Sequence, residues 1–193
     1  MPSSVLVLLA DGFEEIELIC PVDLLRRAGA TVVMASCENS LEVTGRSSIC
    51  IRADRLLSEI DSPLDFDLLI LPGGPAVFEL RKRNEIISLV SDFAGSAKPI
   101  GAICAAPLLL LDARLLSKEK PYTAHISTID ELPLLIKTQA VVEDAQFITS
   151  RGAGTALEFG LRLTRRLFGH EKEEEIRKSI HASPYTAEQY LIQ

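Results

Sequence analysis

The chain offers a candidate nucleophile, a candidate proton carrier and a candidate oxyanion site, each on a short turn. Cys104 lies in Gly101-Ala-Ile-Cys-Ala-Ala-Pro107, between an apolar run and a helical stretch, with small residues on both sides. A nucleophile on a sharp strand-to-helix turn needs small neighbours because the backbone is crowded there. A helix N-terminus close behind it favours a thiolate. A buried, inert cysteine fits the same pattern, since Cys is among the most buried residue types. In Leu71-Pro-Gly-Gly-Pro75 two glycines close an apolar run. They allow main-chain N–H groups to face a crevice and act as an oxyanion hole, or they form a simple turn. No Lys-Ser/Thr follows, so this is not a phosphate loop.

The third turn is Asp11-Gly-Phe-Glu-Glu-Ile-Glu17. Glu14 and Glu15 suit the start of a helix through its dipole. Glu17 sits one turn further in, among Ile16, Leu18 and Ile19. A carboxyl group there is expected to be partly buried with a raised pKa, as proton transfer requires. His125, in Tyr122-Thr-Ala-His-Ile126, reads either as an ordinary strand residue or as a partner for the nucleophile. His170 and His181 fall in the polar C-terminal part and are expected to face solvent. No HxH or HExxH spacing occurs, so no metal is expected. Cys20, Cys37 and Cys50 lie in or beside regular elements, with no CxxC and no metal-finger spacing, and read as structural.

These turns need elements to hold them. Ser4–Leu9, Thr31–Ala35, Asp67–Leu71 and Pro99–Ile103 are continuous apolar runs, the mark of strands buried on both faces. Helical spacing covers Glu14–Ala28, with a kink expected at Pro21 and a stop at Gly29. Further helices are expected over Arg83–Ala94, Ala105–Leu111, Thr155–Leu167 and Lys172–Ile180. Segments near Leu41–Val43 and Ser48–Ile51 flank Thr44-Gly45-Arg46 as a hairpin, and Tyr122–Ile126, Ala140–Val142 and Phe147–Thr149 read as short strands. The acidic stretch Glu171–Glu175 reads as a solvated helix face. Strands alternating with helices specify a doubly wound α/β sheet, in which ligands bind beyond the carboxyl ends of the strands. Those ends are the turns after Leu9, Leu71 and Ile103.

Composition narrows the class. A length of 193 residues suits one domain, expected over 1–193, with a core that needs no disulfides. Lys and Arg total 20 against 27 Asp and Glu, for a net charge of −7. With ten aromatics and no Lys/Arg cluster, no nucleic-acid partner is expected. The longest charge-free stretch, Pro99–Leu111, is short of the roughly 18 residues a membrane helix needs, so no membrane partner is expected. The N-terminus has no basic n-region and reads as a strand rather than a signal peptide. The expectation is a cytoplasmic protein with reduced cysteines.

Five segments together resemble the ThiJ/PfpI superfamily, in the branch of the parkinsonism-associated deglycase. They are Ala10-Asp-Gly-Phe-Glu-Glu-Ile-Glu17, Pro21-Val-Asp-Leu-Leu-Arg-Arg-Ala-Gly29, Leu71-Pro-Gly-Gly74, Ala102-Ile-Cys-Ala-Ala-Pro107 and Ile148-Thr-Ser-Arg-Gly-Ala-Gly-Thr155, in family order and spacing. The resemblance implies a flavodoxin-like α/β fold, mostly parallel with helices on both faces, and a homodimer. It makes Cys104 the reactive cysteine, Glu17 the acid bonded to its sulfur, and His125 the histidine near it. It makes the N–H groups of Gly74 and Ala105 the oxyanion donors. Asp23, Arg27, Arg46 and Cys50 become residues of the interface that support the site. Pro75 and Ala153 stand where close relatives often carry Asn and Pro. The stretch after Gly169 matches the family pattern poorly.

The activity implied is a cofactor-independent, glyoxalase III-type conversion of methylglyoxal or glyoxal to the hydroxy acid, or repair of glycated protein. The alternatives are a redox sensor or redox-regulated chaperone using an oxidisable Cys104, and a cysteine peptidase. A superfamily-level amidotransferase would need a synthase partner that nothing in the chain indicates. Glu17, if carried protonated, makes the formal charge of −7 overstate the true one by one unit.

Overall fold

The computed structural model describes residues 3–117 and 119–182. The apolar runs form the expected central strands, β1 (Ser4–Leu9), β2 (Thr31–Ser36), β6 (Leu68–Leu71) and β7 (Ile100–Ile103). With β5 (Arg55–Leu56), β8 (Val141–Asp144) and β9 (Phe147–Ser150) they make a seven-stranded sheet in the order β5-β2-β1-β6-β7-β9-β8. All pairings are parallel except the edge pair β8–β9. Every residue of β6 and β7 is buried, which is why these strands are apolar throughout rather than alternating. The hairpin β3 (Glu42–Thr44) and β4 (Cys50–Arg52) stands apart as a two-stranded sheet. The fold is the flavodoxin-like α/β arrangement, mostly parallel with helices around the sheet.

The helices are α1 (Glu15–Arg27), α2 (Ala76–Leu80), α3 (Asn84–Gly95), α4 (Pro107–Asp112), α5 (Ala156–Phe168) and α6 (His170–Ser179). The Glu14 carboxylate caps α1 by accepting from Glu17 N at 2.8 Å. The helix closes where Gly29 N donates to Arg26 O and Ala30 N to Leu25 O, the paired bonds of a Schellman stop. Pro21 sits inside it, facing α5. A Cβ on Gly160 of α5 would stand 2.6 Å from Leu24 Cδ1 and 3.0 Å from Pro21 Cα, so glycine permits the close α1–α5 approach. On its other side α5 lays Phe159 and Leu163 against Gly101 of β7. Burying each of these side chains is worth about 1.5–3 kcal/mol.

Several elements differ from the sequence reading. Tyr122–Ile126 is not a strand. Its polar groups bond outside any ladder: Thr123 N donates to Thr149 Oγ1, Thr123 Oγ1 to Ile136 O, and His125 N to Cys104 O. The short elements β5 and α2 carry too little periodic sequence to be foreseen. Glu171–Glu175 is not wholly solvated. Glu173 is 2% exposed and its Oε1 accepts from Arg177 Nη2 at 2.8 Å. The i,i+4 spacing puts both on the inner side of α6, where Arg177 also meets Glu158 of α5 at 3.2 Å. Glu171 and Glu175 are exposed as expected, and so are His170 and His181. No described helix is long and apolar enough to cross a membrane.

The α1–α5 contact yields a paired test. Gly160→Val should lower the free energy of unfolding by about 1–3 kcal/mol, because its branches have no room beside Pro21 and Leu24. Gly95→Ala, where nothing lies within 4 Å of the added carbon, should be neutral or raise it by up to about 1 kcal/mol. Urea melts of both variants separate steric crowding from simple helix propensity.

Candidate active site

Four turns at the carboxyl ends of the strands meet around Cys104. After β7 the chain turns at Cys104 with φ +65°, a left-handed conformation that costs a non-glycine residue about 1–2 kcal/mol. Hydrogen bonds on both sides hold it: Cys104 N donates to Ser150 O at 2.9 Å, and Cys104 O accepts from His125 N at 2.8 Å. The helix behind it begins only at Pro107. The small residues on either side of the cysteine thus accompany a tight elbow, as the sequence suggested.

The turn after β6 packs directly against it. A Cβ on Gly73 would strike Glu17 Oε2 and lie 2.5 Å from Cys104 Cβ. Gly73 N donates to Glu17 Oε2 at 3.0 Å. Gly74, at φ +91°, passes so close to the first turn that a Cβ would be 2.5 Å from Gly12 O and 2.7 Å from Glu14 N. No other residue fits there without moving backbone. Glu14 N also donates to Gly73 O at 3.1 Å, and Ala76 N to Gly12 O at 3.2 Å, so the two turns are laced together. The N–H groups of Gly74 and Ala105 both bond the Cys104 sulfur and draw its pKa down. Pro75 opens α2, exposed, and takes no part in that pair.

Glu17 is 1% exposed. Burial pushes its carboxyl up to about 7, and the neighbouring Glu14 adds to this. The hydrogen bond with Cys104, the Gly73 N–H and the charge of Arg46 oppose it. The Cys104 thiol is also pushed up, to about 12, by burial, by the Glu17 charge and by the bond to Glu17. This departs from the expected free thiolate. Two backbone N–H groups cannot outweigh burial together with a carboxylate in contact. A proton therefore resides on the Glu17–Cys104 pair near neutral pH. Burial raises Cys37 to about 12 and Cys20 to about 11, which suits the structural reading of both.

His125 enters the site without bonding the sulfur. Its Nδ1 lies 2.8 Å from Ser127 Oγ and accepts from Ser127 N at 3.2 Å. No carboxylate among the described residues orients the ring. Asp23 and Arg27 are exposed on α1 and pair with each other at 2.7 Å. Arg46 and Cys50 are exposed on the β3–β4 hairpin, and only Arg46 influences the site, through its charge. Among the described residues, no group of three or more His, Cys, Asp or Glu side chains is placed to share a metal ion.

One residue at the centre was not singled out from the sequence. The position a Cβ of Gly152 would take lies 3.9 Å from Cys104 Sγ, 3.6 Å from Glu17 Oε1 and 3.5 Å from His125 Cδ2. Gly152 has φ +155° and ψ −168°, a region open essentially only to glycine. Thr155 holds this loop, its Oγ1 accepting from Gly152 N at 3.1 Å and donating to Gly152 O at 2.8 Å. The signal was present in Ser150-Arg-Gly-Ala-Gly-Thr155, but a glycine between polar residues reads first as an ordinary loop.

The chain is similar to known proteins along most of its length. Residues 3–166 match the model of the DJ-1/PfpI family. The chain is 38% identical over 177 residues to protein DJ-1 homolog B of Arabidopsis thaliana, covering 91% of this chain but only 40% of that relative's length. It is 32% identical over 157 residues to protein/nucleic acid deglycase 2 of Escherichia coli, covering 78% and 90% of the two chains. Among solved structures, Drosophila melanogaster DJ-1beta superposes with a TM-score of 0.89 at 34% identity, over 95% of this chain and all of that one.

The buried acid has a measurable consequence for stability. Folded Glu17 holds its proton up to about pH 7, whereas an unfolded glutamate releases it near 4.5. Between those values the folded chain binds the extra proton, so stability falls as pH rises from 4.5 to 7, by roughly 3 kcal/mol in total. Glu17→Gln should remove that slope. Urea melts at pH 4.5 and pH 8 should show the variant gaining on the parent at the higher pH. Parallel curves would mean that Glu17 is not held protonated.

Proposed function

The chain belongs to the DJ-1/PfpI family, and from that membership we propose that it is a cofactor-independent glyoxalase III-type enzyme acting on methylglyoxal or glyoxal through Cys104. The observation that carries this reading is the Cys104–Glu17 hydrogen bond, closed in by the Gly74 and Ala105 N–H groups. The sulfur adds to the aldehyde carbon, and the proton of the pair moves to the new oxyanion, giving a hemithioacetal. The two N–H groups stabilise that oxyanion while it is charged. Glu17 then takes the proton from the former aldehyde carbon and returns one to the adjacent carbon. The first carbon is oxidised and the second reduced, so no external oxidant is needed. The product is a thioester of the hydroxy acid, and water cleaves its C–S bond to release lactate or glycolate and restore the thiol.

A carboxyl group near pH 7 suits this exchange, since it can both accept and return a proton at neutral pH. His125 borders the same space through Gly152, which supports a part for it in orienting substrate. Repair of glycated protein uses the same first step, and the deglycase name of the Escherichia coli relative favours keeping it beside the small-molecule reaction. A peptidase is less well supported, because the imidazole neither bonds the sulfur nor is oriented by an acid among the described residues.

We also propose that the working form is a homodimer. Ile16, Ile19 and Leu157 are 55%, 43% and 43% exposed, and share an apolar hollow on α1 and α5. A second copy covering this face would bring Asp23, Arg27, Arg46 and Cys50 toward the interface.

In a glutathione-free assay, Cys104→Ala should reduce methylglyoxal turnover to background. Glu17→Gln should lower kcat by about 10²–10⁴-fold while its thiol still reacts with iodoacetamide. Full turnover by Cys104→Ala would overturn the mechanism. In light scattering, the parent chain of 21.1 kDa should run at twice that mass and Ile19→Glu at the single mass. A monomeric parent at micromolar concentration would remove the dimer.

A further inference from the structure

Gly152 and His125, which stand around Cys104, also border a cavity of about 700 Å³ that the reaction on a three-carbon dicarbonyl does not need. Ligand pockets fall at about 300–1,000 Å³, so this one suits a larger molecule. The Cβ position of Gly152 lies 3.9 Å from Cys104 Sγ, so the cavity and the sulfur share that residue as a common border. Lys137 and Arg151 line it as well, with Leu135 and Ile126 as apolar wall. No carboxylate lines it, and neither cation has an ion-pair partner among the described residues. Glu17 does not line it, although its Oε1 lies 3.6 Å from the Cβ position of Gly152. In a chain of net charge −7, two unpaired cations in one cavity make a local positive field against the overall trend.

We propose that this cavity seats the anionic end, a carboxylate or a phosphate, of a 2-oxoaldehyde whose carbonyl carbon reacts at Cys104. Lys137 and Arg151 are then the specificity-determining residues. The carbonyl half rests on the reading given under Proposed function, whereas the anion site does not. Arg151 presents a planar fork suited to either oxyanion, and Lys137, which is exposed, a mobile point charge. The apolar wall accommodates a short methylene chain between the two ends. An uncharged dicarbonyl gains nothing from the cations, so the anion adds to recognition without altering the chemistry.

Alkylation tests the anion site independently of turnover. Iodoacetate and iodoacetamide differ by a carboxylate, and peptide mass spectrometry reads their rates at Cys104 alone. The iodoacetate-to-iodoacetamide rate ratio at Cys104 should exceed that of free glutathione by about tenfold at low salt. Lys137→Gln and Arg151→Gln should each lower the ratio about fivefold, and Arg151→Lys should restore most of it. A ratio equal to that of glutathione, or one unmoved by both glutamine variants, would overturn the proposal. Protection of Cys104 from iodoacetamide by inorganic phosphate against acetate then distinguishes the two anions.

With substrates, kcat/KM for 4,5-dioxopentanoate should exceed that for its methyl ester by about tenfold, and Lys137→Gln should bring the two together. Charge-selective alkylation with no methylglyoxal turnover would sink the glyoxalase reading and leave the anion site standing. Turnover without charge selectivity would do the reverse.

Discussion

Glu17 is a carboxyl group with almost no contact with water, and the surrounding turns are arranged around the cost of keeping it there. Ionised, it would have to be solvated by the protein alone. Only a few groups are offered: the Gly73 N–H, the Cys104 thiol and the charge of Arg46. That is too little to hold it at the usual carboxylate value, so its proton is retained to about pH 7. The same desolvation acts on the thiol, and Glu17 raises it further, while the hydrogen bond from the thiol draws Glu17 down. Burial thus makes a coupled pair out of two side chains that would be ordinary in water, with one proton to exchange near neutral pH.

Such proximity requires backbone to come unusually close, and glycine permits it at each point. Gly73 lies between the acid and the thiol, Gly74 lies against the first turn, and Gly152 faces both groups and His125. The parallel sheet explains why these glycines meet. Strands β1, β6, β7 and β9 are neighbours running the same way, so their carboxyl ends open at one edge. The turn-to-turn hydrogen bonds at Gly12, Glu14 and Ala76 and the Cys104–Ser150 bond fix their mutual positions. The strained φ of Cys104 is held within this lattice of bonds rather than by its own sequence.

The helices stabilise this edge from behind. Close packing of α5 on α1 through Gly160 holds the helix that carries Glu17. Beyond the residues matched by the family model, α6 adds a buried charge network, Arg177 with Glu158 and Glu173, that ties it to α5. Such a network fixes geometry more than it adds stability, because its desolvation offsets much of its attraction. Acidic residues in this chain therefore do three different things: they solvate the surface, pair in the interior, or keep a proton.

The sequence by itself determined the layered α/β plan, because continuous apolar runs are stable only inside a covered parallel sheet. It also pointed to the three turns that meet at the site, since buried strands ending in small residues leave few other places for chemistry. Cys104 and Glu17 could be picked out by type and neighbourhood. Their juxtaposition could not be read from them, because they lie 87 positions apart and only the strand order brings their turns together. Gly152 lay within a quoted segment but did not stand out there for the same reason, its importance lying in what surrounds a missing side chain. Tertiary structure alone decided that the thiol is raised rather than lowered, that Glu173 is buried while Glu171 is not, and that Lys137 and Arg151 share one cavity. Each depends on which polar groups are withdrawn from water together, and that is a property of packing across the chain rather than of any local stretch.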